Sequence, residues 1–274
     1  MAWRPAPNDL FYRVIVRSGL LLRWAFRIRI ISSGTEHLPP AGPRTGKSRT
    51  VVPGSGAVFA VTHFGYVDFA AAELMLWKHS RGKLRFLVHQ GAADHWLAGP
   101  AISAAGHVVV GYTGRADAYE AAVAKLRAGE YLGVFPEAGV SRSFTVRECR
   151  TGAVRMAAEA GVPVIPVAVW GAHRILTRGR GFSAGRTWRA PVRIHVGEPL
   201  VFAPGDDAGA GTAELRARLQ DGIGTCIADF PLLPEPGAWW MPAHLGGSAP
   251  TEPERQLLDA QDAAKGRRGP RPAR

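Results

Sequence analysis

Apolar positions along this chain fall mostly in short unbroken runs rather than in strict alternation. "AVFAVTH", "KLRFLVH", "HVVVGY", "EYLGVFPE" and "VPVIPVAVWG" each hold a continuous apolar centre. Runs of that length, bounded by Gly, Pro or polar residues, read as strands buried on both faces. "VRIHVGEPL" reads as one more strand. Between them lie segments that read as helices: "DFAAAELMLWKHS", "DHWLAGPAISAAG" (interrupted by Pro100), "RADAYEAAVAKLRAG", "CRTGAVRMAAEAG" and "TAELRARLQDGIGTCIADF". Gly129 is the expected stop of the third, because glycine accepts the left-handed backbone that ends a helix. Strand and helix alternate through most of the chain. The pattern predicts an α/β fold: a single domain with a mixed, largely parallel central sheet covered by helices.

Two segments stand outside that alternation. Residues 10–31, "LFYRVIVRSGLLLRWAFRIRII", read as an amphipathic helix. At about 100° per residue, Arg13, Arg17, Arg23 and Arg27 share an arc of ~120°, with Leu20 and Trp24 among them. The five arginines of the segment argue against a membrane-spanning helix. A basic face beside long apolar neighbours fits a helix lying on anionic lipid. It fits equally a helix packed on the core with its arginines in water. At the other end, residues 233–274 read as an irregular extension whose last dozen residues are basic and disordered. The expected organisation is therefore an N-terminal interfacial helix over 1–34, an α/β domain over 35–232, and the extension. The Pro-, Gly- and Ser-rich stretch 42–56 reads as a loop. "MAWRPAPNDL" lacks the pattern of a secretory signal.

Charge narrows the partners. The 274 residues suit one large domain or two small ones, and carry 34 Lys and Arg against 22 Asp and Glu, a net +12. That excess calls for an acidic partner: nucleic acid, anionic lipid or a phosphorylated substrate. The arginines are scattered, and no helix-turn-helix, zinc-finger or RNA-binding pattern occurs, so no nucleic-acid partner is expected. Cys149 and Cys226 give neither a disulfide framework nor a metal-ligand cluster.

In open α/β sheets ligands gather beyond the carboxyl ends of strands. Three polar clusters fall at such ends: His63 with Asp68, the 111–115 turn, and 137–143. His63 and Asp68 cannot meet on one continuous helix, where five residues rotate them apart by about 140°. They meet if His63 precedes the helix, Asp68 lies in its first turn and Gly65 supplies the step between. A carboxylate then accepts from imidazole Nδ1 and leaves Nε2 as a base. Alternatively, Asp68 is an ordinary helix cap and His63 a loop residue. In "GVFPEAGVSRS", Pro136 ends a strand, and Glu137, Gly139, Ser141 and Arg142 follow in a polar loop. Such a loop can approach an anion, and an Arg fork suits phosphate; a surface turn with a solvated Arg fits as well. Neither a serine nucleophile elbow nor a P-loop pattern occurs.

In order and spacing, these stretches resemble the glycerophosphate and lysophospholipid acyltransferase family over roughly residues 30–200. "THFGYVD" resembles its H-x-x-x-x-D block at His63 and Asp68, "VFPEAGVSRS" its F-P-E-G-T-R-S block, and "GVPVIPVAV" its final block; "GTEHLPPAGP" resembles the lead-in. The family's second block places an Arg directly after a strand, whereas "HVVVGYTGR" reaches its first Arg at Arg115. The resemblance implies acyl transfer from acyl-CoA or acyl carrier protein to a lysophospholipid hydroxyl, with 1-acyl-sn-glycerol 3-phosphate the expected acceptor. It makes His63 the general base and Asp68 its orienting carboxylate. Glu137, Gly139, Ser141 and Arg142 would hold the acceptor, with Arg115 in the second-block role. It implies no metal and no cofactor beyond the acyl donor. It also implies a peripheral position on the cytoplasmic face of the membrane, met through Arg13, Arg17, Arg23 and Arg27. The alternatives are another lipid acceptor, or a non-catalytic lipid-binding protein of the same fold.

Overall fold

Every residue of the strand Ala57–Val61 is fully buried, as its unbroken apolar run requires. The structure, a computed structural model, describes residues 8–40, 44–45, 48–49, 55–96, 98–111 and 115–267. In chain order its elements are α1 (Asp9–Ala25), β1 (Arg29–Ser33), the short strands β2 (Arg44–Thr45) and β3 (Ser48–Arg49), β4 (Ala57–Val61), α2 (Asp68–Ser80), β5 (Leu84–His89), α3 (Gln90–Ala93), α4 (Ala98–Ala104), β6 (Val108–Val110), α5 (Arg115–Arg127), β7 (Tyr131–Val134), α6 (Gly152–Ala160), β8 (Val164–Trp170), α7 (Ala184–Thr187), β9 (Pro191–Val196), α8 (Ala208–Ala228) and α9 (Glu252–Arg267).

Seven strands form one sheet in the order β1-β9-β8-β4-β7-β5-β6. All neighbours are parallel except β8 and β9. β4 lies at the centre, with Val58 opposite Leu132 of β7 and Val164 of β8. Its side chains alternate between two cores. Val58 and Ala60 pack with α5, α6 and α8. Ala57, Phe59 and Val61 pack with α2 and the other face of β8 and β9. This is the single α/β domain with a mixed, largely parallel sheet that the pattern predicts.

Both ends of the chain differ from expectation. The N-terminal helix stops at Ala25, and β1 pairs in parallel with β9 at the sheet edge, so the end of the 10–31 segment belongs to the sheet. Arg27, with φ +53°, makes the reversal between them. The apolar run continued through this turn, so periodicity alone could not place the break. α1 buries a narrow seam, Tyr12 and Val16, against Leu74, Trp77 and Ala105. Arg13 and Arg23 lie half-buried beside that seam. Facing outward instead are Leu10, Phe11, Val14, Leu21 and Leu22, within an arc of about 120°. The solvent-facing stripe of α1 is therefore apolar, with Arg17 at its margin, rather than the arginine face itself.

At the C-terminus, 252–267 is a helix and not irregular chain. Its polar sequence carries no apolar stripe, and charge pairing rather than burial seats it, so hydrophobic periodicity does not reveal it. The preceding segment covers the core through Trp240 and Met241, both buried. His173 Nε2 donates to the Trp240 carbonyl at 3.0 Å, and Trp239 lies beneath Arg180 and Arg186. Of the expected 42–56 loop, residues 44–45 and 48–49 form a two-strand ribbon and most of the rest lies outside the described residues. So do residues 268–274 of the basic tail.

Candidate active site

The ladder of β4 gives way to side-chain bonding at its carboxyl end. Val169 of β8 donates its N–H to Thr62 Oγ1 at 2.9 Å. His63, Phe64 and Gly65 then turn the chain before α2 begins. Asp68 Oδ2 accepts from the backbone N–H of Phe64 and of Gly65, each at 2.7 Å. The same oxygen faces His63 Nδ1 at 3.5 Å, the outer limit of a hydrogen bond. Asp68 is thus no ordinary cap, since it reaches back to the turn rather than forward to α2. One carboxylate fixes the backbone that carries the imidazole and faces the imidazole as well. Burial, the largest influence, raises the Asp68 carboxyl above its usual value, against the pull of His63 and the two N–H donors.

Gly65 serves differently from the expected flexible step. Its backbone is not in the left-handed region. A Cβ there would sit 2.7 Å from His173 Cα and 2.9 Å from the Leu176 carbonyl oxygen, so glycine is needed for close approach of two backbones. That approach is latched by Thr177 Oγ1, which donates to the Phe64 carbonyl at 2.6 Å. The His63 ring stacks on Phe135 at 3.8 Å between centroids and 15° between planes. Phe135 stacks in turn on Phe86 at 5.1 Å. Gly133 leaves room for that ring, since a Cβ there would lie 2.6 Å from it.

The loop after β7 holds His63 from both sides. Glu137 Oε1 accepts the His63 N–H at 2.8 Å and Oε2 accepts the Arg147 N–H at 3.0 Å. Ser141 N–H donates to the His63 carbonyl at 2.8 Å, while its Oγ donates to the Thr145 carbonyl at 2.9 Å. Both side chains are buried. Glu137 and Ser141 therefore brace the turn that carries His63. Gly139 lies against Arg147, whose Nη1 a Cβ would meet at 2.9 Å. Arg142 extends to Asp262 of α9, and its buried Nε has no hydrogen-bond partner. Arg115 opens α5, but its side chain lies outside the described residues, as do residues 112–114. Sequence reasoning passed over Arg147 and Arg178, which stand in irregular loops with no motif to mark them.

Burial pushes the Glu137 carboxyl up to about 8, opposed by its two backbone donors. Burial also lifts the Cys149 thiol to about 12, with Glu137 adding to the effect. Elsewhere in the core, burial raises Glu73 to about 8 and lowers His107 to about 4 and His173 to about 3. These shifts set opposite slopes of stability with pH. Acids raised in the folded state lose their stabilising effect as pH rises from ordinary carboxyl values toward 8. Histidines lowered in the folded state weaken the fold as pH falls from about 6.5 toward 3. Between about 4.5 and 6.5 the slopes oppose each other. Calorimetric Tm is expected to be flattest in that window, to fall toward pH 8, and to fall below pH 4.5. Glu73→Gln should flatten the alkaline limb; a Tm that climbs from pH 6.5 to 8 would contradict the assignment.

No described helix is long and apolar enough to cross a membrane. The Acyltransferase family model matches residues 29–170, more than half of the chain, from β1 to the end of β8. A 1-acyl-sn-glycerol-3-phosphate acyltransferase of Borreliella burgdorferi is 25% identical over 182 residues, covering 65% of this chain. The match spans 64% of that relative's length. The crystal structure of the 1-acyl-sn-glycerophosphate (LPA) acyltransferase PlsC from Thermotoga maritima shares the fold, with a TM-score of 0.59 at 19% identity, over 81% of this chain and 83% of that one. With the matched region holding both the His63–Asp68 turn and the loop that braces it, the chain belongs to the Acyltransferase family of enzymes.

Proposed function

We propose that the protein transfers a fatty acyl group from acyl-CoA or acyl carrier protein to the free hydroxyl of 1-acyl-sn-glycerol 3-phosphate, giving phosphatidate. The observation that carries this reading is the His63–Asp68 pair at the end of the central strand, backed by the activity named for the Borreliella relative. His63 Nε2 takes the acceptor hydroxyl proton as the oxygen attacks the thioester carbonyl. The C–S bond breaks, and the departing thiolate takes the proton back from the imidazolium. Asp68 holds the Nδ1–H tautomer and stabilises the imidazolium between those steps. The transfer is direct, so it needs no acyl-enzyme. That agrees with the high thiol pKa at Cys149. Arg142, beside the braced turn, binds the acceptor phosphate.

Both substrates carry acyl chains, and the exposed apolar stripe of α1 suits insertion at a lipid surface. The arginines of the segment, Arg13, Arg17, Arg23 and Arg27, add attraction to anionic headgroups. We place the protein peripherally on the cytoplasmic face of the membrane. The test is release of thiol from palmitoyl-CoA in mixed micelles, with and without lysophosphatidate. Acceptor-dependent release with phosphatidate formed is the expected result. Equal release without acceptor would mean thioester hydrolysis and would overturn the reading.

A further inference from the structure

Three arginines from two loops, Arg142 and Arg147 after β7 and Arg178 after β8, converge on two carboxylates of α9. Arg142 pairs with Asp262. Arg178 reaches both, Asp262 at 2.8 Å and Asp259 at 3.3 Å. Arg147 lies 3.4 Å from Asp259. Each arginine is anchored to the base-bearing turn. Ser141, next to Arg142, bonds the His63 carbonyl. Arg147 shares Glu137 with the His63 N–H. Thr177, next to Arg178, bonds the Phe64 carbonyl. Each arginine is thus tied, through one hydrogen-bonded residue, to the backbone of the turn that carries the proposed base. Arg178 and α9 lie beyond the stretch that the family model matches.

We propose that α9 is a displaceable strap: Asp259 and Asp262 occupy an anion site formed by Arg142, Arg147 and Arg178, and the phosphate monoester of the acceptor takes their place. This rests on the phosphorylated acceptor proposed above. Two carboxylates carry about the charge of a phosphate monoester, −1.5 to −2 at neutral pH for the phosphoryl groups of proteins. They do not use the full donor set, since Arg142 Nε is left unpartnered. A phosphate offers three acceptor oxygens around one centre and suits guanidinium forks better than two side chains fixed to a helix.

The strap is also weakly held. Among the described residues of α9 only Arg255 is buried, and it serves the helix itself through Glu252 and Asp259. Leu257 is 65% exposed. Partly exposed ion pairs contribute about 0–1 kcal/mol each, so an anion of matching charge can compete with them. An occupied site scales apparent acceptor affinity down to the fraction of time the strap is off.

The decisive measurement is hydrogen–deuterium exchange of α9 in the full chain, in micelles containing lysophosphatidate or lysophosphatidylglycerol. The second lipid also presents an anionic surface, but its phosphate is a diester. α9 amides should exchange faster with lysophosphatidate only, and R178Q should abolish the difference. Equal exchange in the two lipids would overturn the strap, whether or not the protein transfers acyl groups. Faster exchange with no acyl transfer would keep the strap and overturn the proposed reaction instead. In kinetics, D259N/D262N should lower KM for lysophosphatidate about fivefold to tenfold with kcat and donor KM unchanged. An unchanged or raised KM in an enzyme active on lysophosphatidate would count against the strap.

Discussion

Replacing His63 by alanine is expected to lower kcat for acceptor-dependent acyl transfer by about 10²–10⁴, the usual contribution of a positioned general base. KM for lysophosphatidate should change little, because the proposed contacts to its phosphate come from the arginines and not from the imidazole. No neighbouring group can take over the proton. Both Glu137 oxygens are committed to backbone donors. The Asp68 oxygen that faces the ring is held by two more. Ser141 is buried and hydrogen-bonded within its loop. The Cys149 thiol, at about 12, is protonated at neutral pH. The fold should persist, since the ring's main packing contact is the stack on Phe135, worth on the order of 1 kcal/mol. Steady-state thiol release in mixed micelles, beside a melting curve, checks both halves. A folded variant that keeps a tenth or more of its kcat would remove His63 from the role of base.

The central sheet was legible because β4, β5, β7 and β8 each spend an unbroken apolar run between two covered faces. The position of His63 was legible for a related reason, since polar residues at the end of a buried strand have to face something. What the sequence could not show was where the later side chains point. Glu137 and Ser141 sit in a loop that looks ready for an anion, yet both turn inward. The backbone of His63 offers one N–H and one carbonyl that must be satisfied at a buried strand end. Gly65 read as the step that lets His63 and Asp68 meet, whereas its constraint comes from His173, more than a hundred residues away in sequence. α1 was misread in orientation for want of its partners. Its arginine arc contains Val16, and packing of that seam on α2 turns the Leu and Phe stripe outward. α9 is the extreme case, a helix whose seat consists of charges contributed by two distant loops.

Asp68 separates structure from chemistry when its two substitutions are compared. Asp68→Ala leaves the Phe64 and Gly65 N–H groups buried without an acceptor, at about 1–3 kcal/mol each. It also frees the His63 ring from its partner. Both Tm and kcat should fall, and kcat by at least as much as in a variant that only loses charge. Asp68→Asn has a different outcome, because the two N–H donors require an oxygen at the Oδ2 position. The amide NH₂ is then driven to the Oδ1 position, which is buried and has no partner in the native protein. His63 Nδ1 still faces an oxygen, so the productive tautomer survives, but the negative charge that stabilises the imidazolium is gone. Charge-assisted hydrogen bonds are roughly twice as strong as neutral ones, so the expected loss is about 10–100-fold in kcat. Measured kcat in Asp68→Asn should therefore lie between wild type and His63→Ala. If Asn matched wild type, the carboxylate would be a backbone clasp alone. If Asn fell as far as His63→Ala, the amide would have rotated and reversed the tautomer, and the two backbone donors would not control its orientation.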